Sequence, residues 1–253
     1  MAIVHGYGDH IGRWEHVARH FCNAGVAVYA ADHLGHGKSE GEPALIERFD
    51  DLVDDLGRLL DLAQRRHGDL PQGLLGHSMG GLVAARFAQR SDTNCLLRGM
   101  ILSAPMLGDW PLARQALDAM GIQGEDSFHP LKGSAGFRNL DKLSRDEDAI
   151  TTWLADSLVY RGPYKESTCR ELLRAIREVD AAPRRIDLPV LHLHGDADEI
   201  IRLEDAGPAV ARLGALQLHS RVYPGARHSL FNETNTLDVL GDCSEFTRRV
   251  IVG

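Results

Sequence analysis

The amino-acid sequence predicts an α/β fold in which a mostly parallel sheet is flanked by helices. Short apolar runs alternate with longer amphipathic segments, which is the pattern of strands joined through crossover helices. One long stretch departs from this rhythm and lies between two of the runs. With 253 residues and 43% hydrophobic content, the chain is long enough to bury the core of one large domain that carries an insertion.

Six apolar runs are the predicted strands: Ala2–Val4, Val26–Ala30, Gly73–Leu75, Met100–Ser103, Val190–Leu193 and Leu218–Val222. Helices are predicted between them. The segment Trp14–Asn23 precedes Gly25, which is a helix-stop residue. The segment Phe49–Arg66 carries leucines at helical spacing until Gly68 and Pro71 end it.

The stretch from about residue 106 to residue 185 mixes glycine, proline and charged residues with amphipathic segments. It contains no run that is typical of a buried strand. We therefore predict a helical cap inserted between two strands. The expected division is a first part of the core at 1–105, the cap at 106–185 and a second part of the core at 186–253.

Ser78 is the centre of a GxSxG sequence that follows Leu74 and Leu75 and opens a segment of small residues. A serine hydroxyl attacks only when the chain exposes it, supplies a base and stabilises the oxyanion that forms. GxSxG at a strand-to-helix turn exposes the serine, and Gly76 and Gly80 let the helix pack closely on the strand. The pentapeptide alone also occurs by chance, so the predicted nucleophile, Ser78, depends on this context.

A base and an acid are expected after the later strands, because open α/β sheets bind ligands at the carboxyl ends of their strands. Asp196 and Asp198 follow the fifth predicted strand, and His228 follows the sixth. We predict that His228 takes the proton from Ser78 and that Asp198 orients His228. Asp198 is preferred because it lies further past the strand, whereas Asp196 would cap or hold the loop. An ordinary turn role is the alternative for either aspartate.

An oxyanion needs backbone N–H donors. In a turn of this kind the residue after the nucleophile, Met79, supplies the first. The glycine-rich loop His5-Gly6-Tyr7-Gly8 follows the first predicted strand, and we predict that Tyr7 supplies the second. Read alone, this loop is a turn between strand and helix. Its place beside a complete set of triad candidates favours the catalytic interpretation.

Composition excludes several other functions. A net charge of -8 without a block of lysine or arginine argues against a nucleic-acid partner. No segment reaches the roughly 18 apolar residues of a membrane helix, and no signal pattern opens the chain. No HExxH sequence or close His/Cys cluster indicates a metal.

The cysteines are widely spaced, which is typical of free thiols in a reducing compartment, so we expect a cytoplasmic location. They are Cys22, Cys95, Cys169 and Cys243.

Five ordered motifs resemble one family across almost the whole chain. They are His5–His10 with Arg13 and Trp14, then Asp32–Gly41, then Gly76–Gly81, and the two loops that carry Asp198 and His228. The set is similar to the monoacylglycerol lipase and lysophospholipase branch of the α/β-hydrolases. Within the predicted cap, Leu143–Asp146 and Asp156–Tyr160 also resemble segments of that branch.

The resemblance implies an α/β-hydrolase fold and a serine carboxylester hydrolase that acts on a small-molecule lipid ester. It would cleave monoacylglycerols, or similar single-chain esters, to fatty acid and glycerol through an acyl-serine intermediate and without a cofactor. Ser78, Asp198 and His228 would be the triad, and the amides of Tyr7 and Met79 the oxyanion hole. The alternatives are a lysophospholipase or general small-ester esterase, a carbon-carbon bond hydrolase, and a non-catalytic ligand-binding protein on the same fold.

Apolar residues at the start of the predicted cap are interpreted first as ordinary helix core. In a cap above a serine site some of them should face an acyl chain, since lipid pockets are mostly apolar. We predict this role for Met106, Leu107 and Trp110. Exposed apolar cap residues are also expected to let the protein touch a lipid surface transiently without inserting into it.

The beginning of the chain departs from the family pattern. Family members normally have two strands before the one that ends in the glycine-rich loop, whereas here that strand starts at Met1. We therefore expect the usual first two strands to be absent and Val26–Ala30 to be an edge of the sheet. Because exposed apolar edges tend to pair, a homodimer near this strand or reduced stability is predicted. A truncated or misassigned start is the alternative explanation.

Overall fold

The computed structural model of the protein describes residues 1–90, 96–110 and 142–253. In this part of the chain, six strands form one sheet in the order β2-β1-β3-β4-β5-β6, and every neighbouring pair is parallel. The strands are β1 (Ala2–Val4), β2 (Tyr29–Ala30), β3 (Gln72–His77), β4 (Leu97–Ser103), β5 (Val190–Gly195) and β6 (Leu218–Tyr223). The predicted parallel α/β fold is confirmed.

Seven α-helices flank the sheet in the described residues. They are α1 (Glu15–Asn23), α2 (Phe49–His67), α3 (Met79–Arg90), α4 (Glu147–Ala155), α5 (Glu166–Ala181), α6 (Leu203–Ala211) and α7 (Thr236–Phe246). Short 3-10 turns lie at Ile11–Trp14, Pro183–Arg185 and Leu230–Asn232, and a π-helical turn at Thr247–Val252 ends the last helix. Measured by length and apolarity, none of the helices seen here could cross a membrane.

The central strands bury both of their faces. Alternate residues of the strands pack on one face against α2, α3, α5 and α6, and this set includes Ala2, Val4, Leu74, Met100 and Val190. The residues between them pack on the other face against α1 and α7, and this set includes Ile3, Leu75, Ile101 and Leu191. Successive side chains of a strand point to opposite faces, so a strand that is covered on both sides appears as a continuous apolar run.

Two predicted elements are shorter than expected. The second strand comprises only Tyr29–Ala30, because the Val26 N–H donates to the Phe21 carbonyl oxygen at 3.0 Å and belongs to the end of α1. The strand lies at the edge of the sheet, as predicted. The first helix begins at Glu15 instead of Trp14, which closes the preceding 3-10 turn.

The predicted cap at 106–185 is described only in part, since 111–141 lie outside the described residues. Its boundaries therefore stay a prediction. The second half contains α4 and α5, and α5 packs against α2 and α3. Thr168 on α5 accepts a hydrogen bond from the Ile46 N–H at 2.9 Å. This helix thus lies beside the core helices.

Candidate active site

Ser78 lies at the turn between β3 and α3, with a backbone φ of +54°. L-amino acids rarely adopt this left-handed conformation, and a buried residue is held there only when its surroundings impose it. The Ser78 N–H donates to the Ser103 carbonyl oxygen at 3.0 Å, and the Ser78 carbonyl oxygen accepts from the N–H groups of Gly81 at 2.9 Å and Met106 at 3.0 Å. The two ends of the turn are therefore fixed on both sides of the serine.

Glycines allow the helix to approach the sheet at this turn. A Cβ atom built on Gly80 would lie 2.0 Å from the Val4 carbonyl oxygen, and one on Gly76 would lie 2.4 Å from the Gly80 carbonyl oxygen. Neither position tolerates a side chain without backbone movement. The close approach predicted from the GxSxG sequence is present.

His228 and Asp198 form a buried hydrogen-bonded pair. The His228 Nδ1 lies 2.7 Å from the Asp198 Oδ2, and the two residues are 3% and 4% exposed. The other oxygen, Oδ1, accepts from the N–H groups of Ile200 at 2.8 Å and Ile201 at 3.0 Å. Asp196 instead accepts from the Gly225 N–H at 2.6 Å. Of the two aspartates, Asp198 reaches the histidine and Asp196 holds the neighbouring loop.

The Asp198 carboxylate is kept ionised against its burial. Burial by itself raises the pKa of this group, but attraction to His228 and hydrogen bonds from His194 and His228 outweigh that cost, so the pKa lies below its ordinary value. His194 Nε2 lies 3.5 Å from Asp198 Oδ2 and 2.8 Å from the Ile201 carbonyl oxygen. A negative charge is therefore held beside the His228 ring, where it would stabilise an imidazolium.

Ser78 and His228 line one cleft. Its other walls are of two kinds. Apolar and aromatic side chains come from Leu143, Trp153, Tyr160 and Phe231, and polar groups come from Asp9, Arg13, Ser229 and Asn232. The polar side is ordered, since Arg13 Nε lies 2.9 Å from Asp9 Oδ1 and Trp14 Nε1 donates to Asp9 Oδ2 at 2.9 Å.

His77, next to the serine, also lines the cleft. Its Nδ1 lies 3.1 Å from the Ser103 carbonyl oxygen. Because a carbonyl oxygen only accepts hydrogen bonds, Nδ1 is the nitrogen that carries the proton. Burial and then repulsion from His228 lower its pKa to about 3, so the ring is neutral at physiological pH. This environment suits a residue that fixes the turn and does not exchange protons.

The glycine-rich loop passes close to the serine. A Cβ atom on Gly6 would lie only 3.2 Å from the Ser78 Cβ. Met79 is the first residue of α3, so its N–H belongs to the helix terminus that has no partner within the helix. Within the described loops and turns, neither the Tyr7 nor the Met79 N–H donates to a backbone oxygen. Both groups are therefore available, and their role as an oxyanion hole stays a prediction.

The same loop is tied to the cap. The Tyr160 N–H donates to the Gly8 carbonyl oxygen at 2.8 Å, and His10 Nε2 lies 2.8 Å from Asp156 Oδ2. Below the loop, the carboxylate of Asp32 accepts from the N–H groups of Ile11 and Lys38, both at 2.8 Å. Asp32 thus holds the polar loop together.

The predicted acyl-binding residues occupy a different place. Met106, Leu107 and Trp110 are each 3% exposed, and none of them lines the described cleft. The Trp110 ring meets the Tyr164 ring edge to face at 5.8 Å, and Tyr164 stacks on Tyr7 at 4.9 Å. Contact of these three residues with an acyl chain stays a prediction. The next apolar residues of the predicted cap, Leu112, Leu117 and Met120, lie outside the described residues.

Trp153 and Tyr160 are cleft residues that sequence reasoning missed. Both lie within the predicted cap, and Tyr160 ends the Asp156–Tyr160 motif, but helical periodicity only separates a buried face from an exposed one. It does not say whether the buried face meets the core or a cleft.

In the described ranges, no group of three histidine, cysteine or acidic side chains could hold a metal. Cys22, Cys169 and Cys243 are free thiols, and Cys95 lies outside the described residues.

Comparison with known proteins is consistent with this geometry. The family model for serine aminopeptidase, S33, matches residues 1–235. A monoacylglycerol lipase of Mycolicibacterium smegmatis is 31% identical over 97% of this chain and 86% of its own length. A monoglyceride lipase of Mus musculus is 31% identical over 91% of this chain and 75% of its own length. The crystal structure of a Paleococcus ferrophilus monoacylglycerol lipase superposes with a TM-score of 0.81 and 25% identity, covering 97% of this chain and 92% of that one.

Proposed function

The chain belongs to the serine aminopeptidase (S33) family of the α/β-hydrolases, and we propose that it is a serine carboxylester hydrolase that cleaves monoacylglycerols to fatty acid and glycerol. The observation that carries the proposal is the cleft that Ser78 and His228 share, with His228 held at 2.7 Å by the buried Asp198. Two relatives with high coverage are monoacylglycerol or monoglyceride lipases by name, which supports this substrate class.

In the proposed reaction, the Ser78 Oγ attacks the ester carbonyl carbon while His228 accepts the hydroxyl proton. The negative charge that develops on the carbonyl oxygen is stabilised by the N–H groups of Tyr7 and Met79. His228 then gives its proton to the departing glycerol oxygen, and an acyl-serine remains. A water molecule, deprotonated by His228, attacks this ester, and the fatty acid leaves as Ser78 regains its proton.

The two kinds of wall in the cleft support a substrate that is apolar at one end and polar at the other. Trp153 and Phe231 offer apolar surface for an acyl chain. The Asp9 carboxylate and the Arg13 guanidinium offer an acceptor and donors for the hydroxyl groups of glycerol. A small acetate ester would use little of either surface, so a single-chain lipid ester fits the described cleft better.

The test is fatty-acid release from monoacylglycerols of graded chain length, with triacylglycerol, a lysophospholipid and a p-nitrophenyl ester alongside. Wild type should release fatty acid from monoacylglycerol, and Ser78→Ala should release none above background. Release from lysophospholipid only, or from the small ester only, would replace the substrate class and keep the nucleophile. A folded wild type that hydrolyses none of these esters and takes no fluorophosphonate label would contradict the enzymatic proposal.

We further propose transient contact with lipid surfaces and a cytoplasmic location. Leu34 and Leu154 are 46% and 48% exposed, and Leu154 lies on the cap helix α4. The free thiols in the described residues suit a reducing compartment. Co-flotation with vesicles of the neutral lipid phosphatidylcholine tests the contact, and a protein that stays entirely in the unbound fraction would contradict it.

A homodimer through the β2 edge is the remaining proposal. Beside that edge lies a groove lined by Met1, Val26, Leu70 and Val252. Leu70 and Val252 are 59% and 58% exposed, and apolar surface beside an open strand edge tends to pair. Small-angle scattering over a concentration series should show a dimer, which Leu70→Asp should weaken. A compact monomer that stays soluble at high concentration would contradict the dimer.

A further inference from the structure

Glu233 is a fully buried carboxylate outside the predicted catalytic set. Its side chain is 0% exposed. Its Oε1 accepts from the N–H groups of Arg145 at 3.1 Å and Arg227 at 2.9 Å, and its Oε2 accepts from Arg145 Nε and from the Thr234 N–H, both at 3.0 Å. A buried carboxylate is tolerated only when it is paired and hydrogen-bonded in this way. Each of its oxygens therefore has a structural task.

The donors come from two segments that are far apart in the chain. Arg227 directly precedes His228, and Arg145 lies two residues before the start of α4 in the cap. The segments are linked again on either side, because the Ser229 N–H donates to the Leu143 carbonyl oxygen at 2.8 Å and the Ser144 Oγ donates to the Asn232 carbonyl oxygen at 2.6 Å. Glu233 lies between these links and joins the His228 loop to the beginning of the cap.

The backbone of His228 is held on both sides by this arrangement. The residue before it binds Glu233 through its N–H, and the residue after it binds Leu143. The His228 side chain itself is hydrogen-bonded through Nδ1 to Asp198. That bond fixes one edge of the ring, whereas the distance from the ring to Ser78 depends on where the backbone stands.

We propose that Glu233 is a positioning residue for His228 and that Arg145 makes the position of His228 depend on the cap. This inference rests on the proposed function. It also gives a role to the Leu143–Asp146 motif, since the Arg145 side chain lies against Gly225, where a Cβ atom would be 3.0 Å from Arg145 Nη1. Movement of this cap segment would therefore be transmitted to the loop that carries the base.

The experiment compares Glu233→Gln and Arg145→Gln with Glu178→Gln. Glu178 is the matched control because it lies on α5 of the predicted cap and pairs with Arg86 on the core helix α3, far along the chain from His228. With a soluble p-nitrophenyl ester, Glu233→Gln and Arg145→Gln should lower kcat and the fluorophosphonate labelling rate by about tenfold to a hundredfold, with KM nearly unchanged. Glu178→Gln should stay within about twofold of wild type.

A pH profile separates positioning from a general loss of structure. If His228 is displaced from Ser78, the labelling rate of folded Glu233→Gln should recover in part at high pH, where serine is activated without its base. If both variants fold and label at the wild-type rate with the wild-type pH profile, the inference is wrong. It is also wrong if KM rises while kcat stays unchanged, because that result places the two residues in substrate binding alone.

Arg145 provides the safeguard against misfolding, since its side chain is 34% exposed and Glu233 keeps the N–H groups of Arg145, Arg227 and Thr234 as donors when the guanidinium is removed. If Glu233→Gln does not fold, the kcat, KM and labelling rate of Arg145→Gln alone decide whether the inference holds. The failure of this inference is distinct from a failure of the proposed function. In the first case wild type hydrolyses the ester and the variants match it, and in the second wild type itself neither hydrolyses nor takes the label.

Discussion

The buried Asp198 carboxylate lies 2.7 Å from the His228 Nδ1, while Asp196, two residues earlier, binds the Gly225 N–H instead. An oxygen that accepts the Nδ1–H fixes the tautomer in which Nε2 is free to act as the base. An amide at position 198 would present its NH₂ group or allow the other tautomer. We therefore expect Asp198→Asn to lower kcat by about 10³-fold or more, as measured on a soluble ester.

Asp196→Asn is the control for that variant. Its amide oxygen can still accept from the Gly225 N–H, so activity should stay within about threefold of wild type. Equal losses of activity in the two variants would mean that both aspartates act by holding the loop, and that the hydrogen bond from Asp198 to His228 has no special role.

Gly80 and Gly241 offer opposite outcomes for the same substitution. A Cβ on Gly80 would lie 2.0 Å from the Val4 carbonyl oxygen, whereas none of the surrounding atoms lies within 4 Å of a Cβ on Gly241 in the exposed part of α7. Gly80→Ala should therefore destabilise the protein by more than about 3 kcal/mol or prevent folding. Gly241→Ala should stabilise it by about 0.5 to 1 kcal/mol, because alanine favours the helix.

Urea unfolding monitored by tryptophan fluorescence checks both glycine variants. A Gly80→Ala protein as stable as wild type would show that the helix can withdraw from the sheet, contrary to the close packing described above.

Three buried histidines predict how stability depends on pH. Burial lowers the pKa of His33, His77 and His192 from 6.5 to about 3. Between these values the unfolded chain binds protons that the folded protein does not. The free energy of unfolding should therefore be insensitive to these groups above pH 6.5 and should fall as the pH drops from 6.5 toward 3.

His192→Gln isolates one of these groups. The Gln amide can replace the donor that lies 3.1 Å from His194 Nδ1 but does not titrate. Between pH 6 and pH 4 the variant should lose up to about 1.4 kcal/mol less per pH unit than wild type. Parallel stability curves for the two proteins in this range would contradict the assignment of a neutral buried His192.

Trp153 and Trp110 separate two possible paths for the acyl chain. Trp153 lines the described cleft, and Trp110 packs against Tyr164 away from it. Trp153→Ala should raise KM for a long-chain monoacylglycerol by about tenfold and KM for an acetate ester by less than about twofold, because only the long chain loses apolar contact. A larger effect of Trp110→Ala on the long-chain KM would instead favour the residues that the sequence suggested.

The strands of the central sheet were predictable because each is buried on both faces and therefore forms a continuous apolar run. Periodicity failed where burial is incomplete. Val26 is apolar but serves to end α1, and β6 keeps only Tyr223 buried. The side chains of an edge strand are not buried on both faces of the sheet. Hydrophobicity therefore does not mark the residue at which strand pairing begins.

The local structure of the candidate site was also predictable, because the GxSxG turn and the polar loops after the strands are short-range patterns. Contacts across the chain were not. Arg145 and Glu233 are 88 residues apart and His10 and Asp156 are 146 apart. Each of these polar residues is indistinguishable in sequence from a solvated one, since the pairing partner is fixed only by the fold.

The bond from the Tyr160 N–H to the Gly8 carbonyl oxygen has a consequence for protein engineering. Gly8 has a φ of +71°, and a Cβ there would lie 2.9 Å from the Tyr160 carbonyl oxygen. A cap segment transplanted from another α/β-hydrolase would therefore have to bring its backbone to this same spot and supply a carboxylate for His10. Chimaeras joined at other boundaries would separate a cap from the half of its docking site that lies in the first ten residues of the host.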